Sequence, residues 1–231
     1  MQADWLVPDW DAPRVRALMT TRHGDQAQLA GVLGALPVFL NQVHGSAVVR
    51  LVAADAAPGA VVRTADGSVT TDPRIACAVR VADCLPVLFA APHGRGVAAA
   101  HAGWRGLAGG VLEATVALLC DAAECEAAEL QAWLGACIGQ HSFEVGADVL
   151  AVFGTVPDAA DPRCFVAHTP GKWLANLPLL ARERLNAAGV SRISGGSWCT
   201  ALDASRFFSY RRDGSTGRMV AAIRIDPLSR G

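Results

Sequence analysis

The chain has 231 residues, 52% hydrophobic and 18% charged, with a formal net charge of −1. That length supports a substantial buried core, and the composition excludes an intrinsically disordered chain. A near-neutral balance without long basic runs excludes the electrostatic footprint of a nucleic-acid or acidic-membrane binder.

The opening run MQADWLVPDWDAP carries acids and prolines where an export signal needs a basic and then an apolar region. The alanine-rich stretch Ala90–Ala102 is interrupted by Pro92, His93, Gly94 and Arg95, well short of the roughly 20 apolar residues of a membrane span. Seven cysteines, scattered and without a CxxC pair, read as reduced thiols of a cytoplasmic protein. Neither a membrane nor a nucleic-acid partner is expected.

The segment up to Met19 reads as an edge strand or loop with exposed Trp5 and Trp10, followed by a polar turn at Thr20–Gly24. Leu29, Val32, Leu33 and Leu36 recur at helical spacing and predict a short helix over Gln26–Leu36. Val38–Leu40 predicts a strand ending in Asn41-Gln42-Val43-His44-Gly45, with Ser46–Ala53 as its hairpin partner across Gly45. Pro58-Gly59 and Ala65–Ser68 predict turns. Ile75–Val81 and Leu85–Ala90 predict strands flanking Ala82-Asp83-Cys84.

Val97–Ala102 is a small-residue run that ends in His101 and opens through Gly103-Trp104-Arg105-Gly106 onto a helix over Leu107–Cys120. Gly106, Gly109 and Gly110 each weaken that helix by about 1 kcal/mol relative to alanine, which suits a close approach to its backbone. Further on, the pattern predicts a strand at Gln131–Leu134, a helix at Val145–Phe153 and a second long helix at Lys172–Ala188. Pro178 is expected to kink the last, and Gly189 to stop it. Met219–Ile225 predicts a final strand. With hairpins mixed among helices and no linker or repeat, the reading is α+β: one domain over residues 1–231, with mixed sheets layered with helices.

Among six histidines, His44 and His101 each end a strand-like run, and Cys84 sits at a strand break. Such residues converge on one rim of a sheet. Two imidazoles and a thiolate suit zinc with a fourth position left open, or copper, and do not suit magnesium. The spacing of 40 and then 17 residues is no short metal motif. The residues alone leave three readings open: a metal shell, a Cys84–histidine nucleophilic pair, or a buried cysteine with two structural histidines.

The segments NQVHGSAV, VADCLPVLF, AAAHAGWRGLAGGVLEATV, WLGACIGQHSFEVG and FFSYRRDGSTGRM occur in this order. They resemble the peptidoglycan-editing-factor or multicopper-polyphenol-oxidase-like (laccase-domain) family, over about Ala17 to Ile225. The resemblance implies a layered α/β/β/α sandwich and metal ligands at His44, Cys84 and His101. Two departures stand out. Thr20–Asp25 passes almost directly into Gln26, where the family carries a longer loop, and Asp66-Gly67 stands where Asp-Ala is usual.

Six histidines and no His-x-His pair oppose a true multicopper oxidase; phenol oxidation would need copper in the same shell. The resemblance implies instead phosphorolysis of purine nucleosides (adenosine, inosine, guanosine, methylthioadenosine) by inorganic phosphate, with adenosine deamination as a second activity. On that reading Cys84, His101 and Arg105 are catalytic. The unpaired amides around Gly103–Gly106 hold phosphate with Arg105, and Arg22, Tyr210 and Arg211 contact anion or base. The alternative is a Cys–His hydrolase acting on a misloaded peptidoglycan precursor. A homodimer is compatible with the sequence and not specified by it.

Overall fold

A computed structural model describes residues 4–227. The first three residues of the opening segment, and so part of the run read against an export signal, lie outside the described residues. The chain begins with β1 (Val15–Met19), α1 (Leu29–Leu33), β2 (Leu36–Val38), β3 (Val48–Arg50), β4 (Gly67–Thr70) and β5 (Ile75–Val81). It continues through β6 (Leu85–Ala90), β7 (Val97–Ala102), α2 (Trp104–Ala108), α3 (Val111–Ala123), β8 (Gln131–Leu134), β9 (Glu144–Gly146) and α4 (Ala147–Val152). The last elements are β10 (Phe165–Ala167), β11 (Lys172–Ala175), α5 (Leu177–Ala187), β12 (Arg192–Gly195), α6 (Tyr210–Asp213) and β13 (Met219–Ile225).

Two sheets carry the architecture: a four-stranded one, ordered β1-β13-β5-β2, and a six-stranded one, ordered β12-β8-β6-β7-β4-β3. Side-chain alternation along each strand sets the layers. Cys77, Val79, Val81, Met219 and Ala221 face Leu88, Val97, Ala99 and Trp133 across the inter-sheet core. The other face of the six-stranded sheet, with Val87, Phe89, Ala98 and Ala100, packs against Leu112, Val116 and Leu119 of α3 and Leu180, Ala181 and Leu185 of α5. The outer face of the four-stranded sheet, with Ala76, Ala78, Val220 and Ala222, is covered by Leu29 and Leu33 of α1. This is the expected layered α+β sandwich. A small sheet ordered β10-β11-β9 stands beside it.

The strands predicted at Ile75–Val81, Leu85–Ala90, Gln131–Leu134 and Met219–Ile225 are present as read, and β1 is an edge strand. Trp5 and Trp10 are half-buried and not exposed. No hairpin joins the runs around Gly45. β2 pairs with β5 in the four-stranded sheet, and β3 runs parallel to β4 in the six-stranded one. The chain turns at His44, which takes a left-handed φ of 61°.

Further expectations change. The helix over Gln26–Leu36 shrinks to a single 3₁₀ turn at Gln26–Gln28 and α1, ended by Gly34 at φ 70°. Ala65–Ser68 is no turn, because Gly67 and Ser68 start the buried β4. The helix through Leu107 divides into α2 and α3 at Gly109-Gly110, where Gly110 takes φ 90°. Val145–Phe153 and Lys172–Ala188 are each a short strand followed by a helix. In the second, Asn176 accepts from the Leu179 amide at 3.1 Å and Pro178 lies in the first turn, so proline opens α5 and does not kink it. Gly189, at φ 91°, follows its end as expected.

Candidate metal centre and cavity

β5 and β6 belong to different sheets, so the connection Ala82-Asp83-Cys84 bridges the two at their common rim. His101 alternates with Val97 and Ala99 on β7 and therefore points to the inter-sheet side. His44 arrives from the loop after β2. The ligand atoms of His44, Cys84 and His101 lie within 4.8 Å of one another, and the two imidazoles meet edge-on with centroids 4.8 Å apart. His101 is buried, Cys84 half-buried and His44 exposed.

One buried carboxylate organises this group. Asp66 accepts from the amides of Val43, His44 and Gly45 at 3.2, 2.9 and 2.7 Å, and its Oδ1 lies 2.8 Å from Nδ1 of His101. It thereby holds the left-handed His44 turn and fixes the His101 ring with Nε2 turned toward Cys84. Burial pushes the Asp66 carboxyl up, but the His101 bond and the loop amides outweigh it and hold it below its ordinary value. Burial also disfavours the charged forms of Cys84 and His101, yet their neighbours prevail. His101 and then His44 draw the thiol down to about 7, and Asp66 and then Cys84 raise the imidazole to about 9. The pair favours thiolate beside imidazolium.

The donor set fits a borderline-soft ion: two imidazole nitrogens and a thiolate, with carboxylate support behind one ring. A Cβ placed on Gly103 would lie 2.9 Å from Cys84 Sγ and 3.2 Å from His44 Cδ2, so glycine there leaves the space around the ligand atoms free. A second group, Asp161, Cys164 and Glu183, also has metal-ligand types close together. There, however, Arg163 pairs with both carboxylates, and burial with the nearby acids pushes the Cys164 thiol up to about 12.

The trio faces a cavity of about 560 Å³, within the usual range for small-molecule sites. Gly103, Arg105, Tyr210 and Arg211 line it together with His44, Cys84 and His101, whereas Arg22 and Gly106 do not. Arg22 donates to the Ala204 carbonyl and lies over the Phe208 ring. Gly106 serves packing, since a Cβ there would come within 2.7 Å of the Gly45 carbonyl. Tyr210 is 61% exposed at the cavity edge. Because α2 has only five residues, any hold on an anion from this wall falls to the Arg105 guanidinium more than to a helix dipole.

Three contributors escaped the sequence reading. Asp66 looks like a turn residue; its signals are a lone acid opening an apolar strand and the Asp that the resembled family carries at this place. Gln42 bonds the backbone of Arg80 through both ends of its carboxamide, at 2.8 and 2.9 Å, docking the His44 loop on β5. Asp83, at φ 92°, accepts from the Thr200 hydroxyl and the Arg211 amide at 2.5 and 2.7 Å, tying α6 to the residue before Cys84.

Fold and site together define a layered α+β protein with a candidate centre for a single metal ion at the rim of an arginine-lined cavity. The chain belongs to the multi-copper polyphenol oxidoreductase laccase family, whose sequence profile matches residues 19–226. It is 47% identical over 246 residues to the purine nucleoside phosphorylase YfiH of Escherichia coli, covering 94% of this chain and 97% of that one. A purine nucleoside phosphorylase of Pseudomonas aeruginosa is 42% identical over 245 residues, covering 95% and 97%. That alignment is longer than this chain, so the relative carries segments absent here; the connection after Arg22 is a tight turn into Gln26–Gln28. Among solved structures, a Neisseria meningitidis protein superposes with a TM-score of 0.87 at 41% identity, over 97% of this chain and 100% of that one. YlmD of Geobacillus stearothermophilus gives 0.88 at 28% identity, over 98% of each. Despite the family's name, the candidate metal groups among the described residues contain no histidines beyond His44 and His101.

Proposed function

We propose that this chain is a purine nucleoside phosphorylase, one catalytic domain that cleaves adenosine, inosine, guanosine and methylthioadenosine with inorganic phosphate. The observation that carries the reading is the shared cavity: the His44/Cys84/His101 group, Arg105 and Arg211 face one space sized for a nucleoside and an anion. The names of the relatives point the same way.

In the reaction a phosphate oxygen bonds to C1′ of the ribose. The bond from C1′ to the base nitrogen breaks, and the base leaves with the electron pair and takes up a proton. Arg105 and Arg211 bind the phosphate by charge-assisted hydrogen bonds and orient it toward the ribose. Tyr210 flanks the base at the open edge, and Phe143, Ile138 and Leu177 give the wall an apolar surface. His44, Cys84 and His101 would hold zinc, with copper as the alternative occupant. Bound there, the ion supplies Lewis acidity toward an oxygen of substrate or water, which also suits hydrolytic deamination of adenosine.

The test is inosine cleavage with and without phosphate. Hypoxanthine is expected only when phosphate is present; release that ignores phosphate overturns the reading. Ammonia release from adenosine checks the second activity.

One observation favours a second reading. Cys84, His101 and Asp66 stand in nucleophile–base–carboxylate order, with Cys84 within 4.8 Å of the His101 ring nitrogen and Asp66 2.8 Å from Nδ1 of the same ring, as a Cys–His hydrolase of a misloaded peptidoglycan precursor would require. A Cys84→Ser variant that keeps its metal but loses turnover would favour this reading; loss of both favours the ligand role.

A further inference from the structure

The cavity carries more positive charge than one inorganic phosphate needs. Arg80, Arg105, Arg211 and Arg218 all line it, and none of the four pairs with a carboxylate among the described residues. The one acid in the lining, Asp83, has both oxygens engaged by Thr200 and the Arg211 amide.

The four arginines divide into two poles. Arg105 lies over Trp104 at 4.2 Å and Arg211 over Phe143 at 5.6 Å. Both rings belong to the core between the six-stranded sheet and its helices. Arg80 and Arg218 come from the opposite layer. Ala76 and Ala78 of β5 face α1, so alternation places Arg80 on that outer face. Val220 stands opposite Arg80 in register and joins the same outer core. Arg218 directly precedes β13, two residues before Val220, and its guanidinium donates to the Thr216 and Gly217 carbonyls at 2.9 and 3.1 Å. Diagonal positions across an antiparallel pair are within reach of long side chains. Arg80 is also pre-positioned: Gln42 fixes its backbone, and its guanidinium lies over the Phe39 ring at 3.8 Å.

We propose that Arg80 and Arg218 form a second anion subsite that binds the 5′-phosphate of a nucleoside monophosphate, across the cavity from the pole that holds the attacking phosphate. The nucleoside part rests on the phosphorylase reading. In displacement at C1′, phosphate attacks the ribose face opposite the base, while the 5′ carbon projects on the base's own face. A 5′ anion and the attacking anion therefore lie on opposite sides of the sugar, which suits two arginine pairs that come from different layers of the fold. Paired guanidinium groups suit a phosphate monoester.

Calorimetric binding of inosine and of inosine 5′-monophosphate to the metal-loaded protein tests this, at several concentrations of inorganic phosphate. The monophosphate is expected to bind about tenfold tighter or more, as an added charge-assisted contact would give. That preference should shrink to less than about threefold in Arg80→Gln and in Arg218→Gln, with Arg80→Lys retaining part of it. Inorganic phosphate should leave the monophosphate's affinity nearly unchanged. Equal affinities, binding of neither compound, a preference that survives both substitutions, or competition with inorganic phosphate overturns the subsite. If the preference holds while neither compound releases base, the phosphorylase reading fails and the subsite stands.

Discussion

Replacing Asp66 with asparagine removes one acceptor oxygen from a wholly buried group that serves four donors: three consecutive loop amides and the His101 ring. If the remaining oxygen stays with His44 and His101, the new NH₂ faces the amides of Val43 and Gly45; flipped, it faces the other two. Either way two donors lose their partner, at about 1–3 kcal/mol each. Solvent reaches the Val43–Gly45 loop and can restore part of this, which places the loss near the lower end, about 2–3 kcal/mol. For a chain of this size that lowers the melting temperature by about 4–12 °C. Because the same carboxylate orients His101, zinc affinity should fall by about 10–100-fold. Calorimetric unfolding of the metal-free protein and zinc titration against a chromophoric chelator read the two effects separately. An Asp66→Asn protein with wild-type melting and wild-type zinc affinity would refute the organising role given to this residue.

Other outcomes follow from the same geometry. Gly103→Ala has an allowed backbone but places its methyl against Cys84 and His44; zinc affinity should drop about tenfold or more, and an unchanged titration would remove the steric argument. Gly106→Ala pushes on the Gly45 carbonyl and should cost about 1–3 kcal/mol of stability, measured by denaturant unfolding. Arg105→Gln should raise the KM for phosphate about tenfold with a smaller change in the KM for inosine, since one charge-assisted bond to the anion is lost; steady-state kinetics varying each substrate decides. Chelator-stripped protein should expose Cys84 to iodoacetamide and melt lower than the zinc-loaded form. Mass-spectrometric mapping showing equal labelling in both forms would remove Cys84 from the ligand set.

How legible each part was depended on where its determinant lay. Long apolar runs such as Ile75–Val81 and Leu85–Ala90 are buried along nearly their whole length, and a run of that kind reads as a strand wherever it pairs. Their assignment to two different sheets depends on partners far along the chain, which no local pattern carries. Trp173 and Leu174 fell three to four residues from Leu177, imitating one helical face although they belong to a strand. The Asn176 cap and Pro178 in the first turn were the local signs of the true helix start. His44, Cys84 and His101 were visible because each ends or interrupts an apolar run. Asp66 was not, because its partners lie 21–23 residues before it and 35 after it. Arg80 and Arg218 are far apart in the chain, and only the pairing of β13 with β5 brings them near each other.

His44 and Cys84 sit on separate connections and His101 on β7, and at Cys84 the chain passes from one sheet to the other. An ion shared by them would close chain loops of 40 and 17 residues at one end of the sandwich and act there as a staple between layers otherwise joined by apolar contact. Its binding energy would add to folding stability and concentrate at the rim, leaving the far end to the packing of Val97, Ile223 and Ile225. Hydrogen exchange should therefore slow on metal loading in the segments 41–45 and 81–85, while the amides of Ile223 and Ile225 change little.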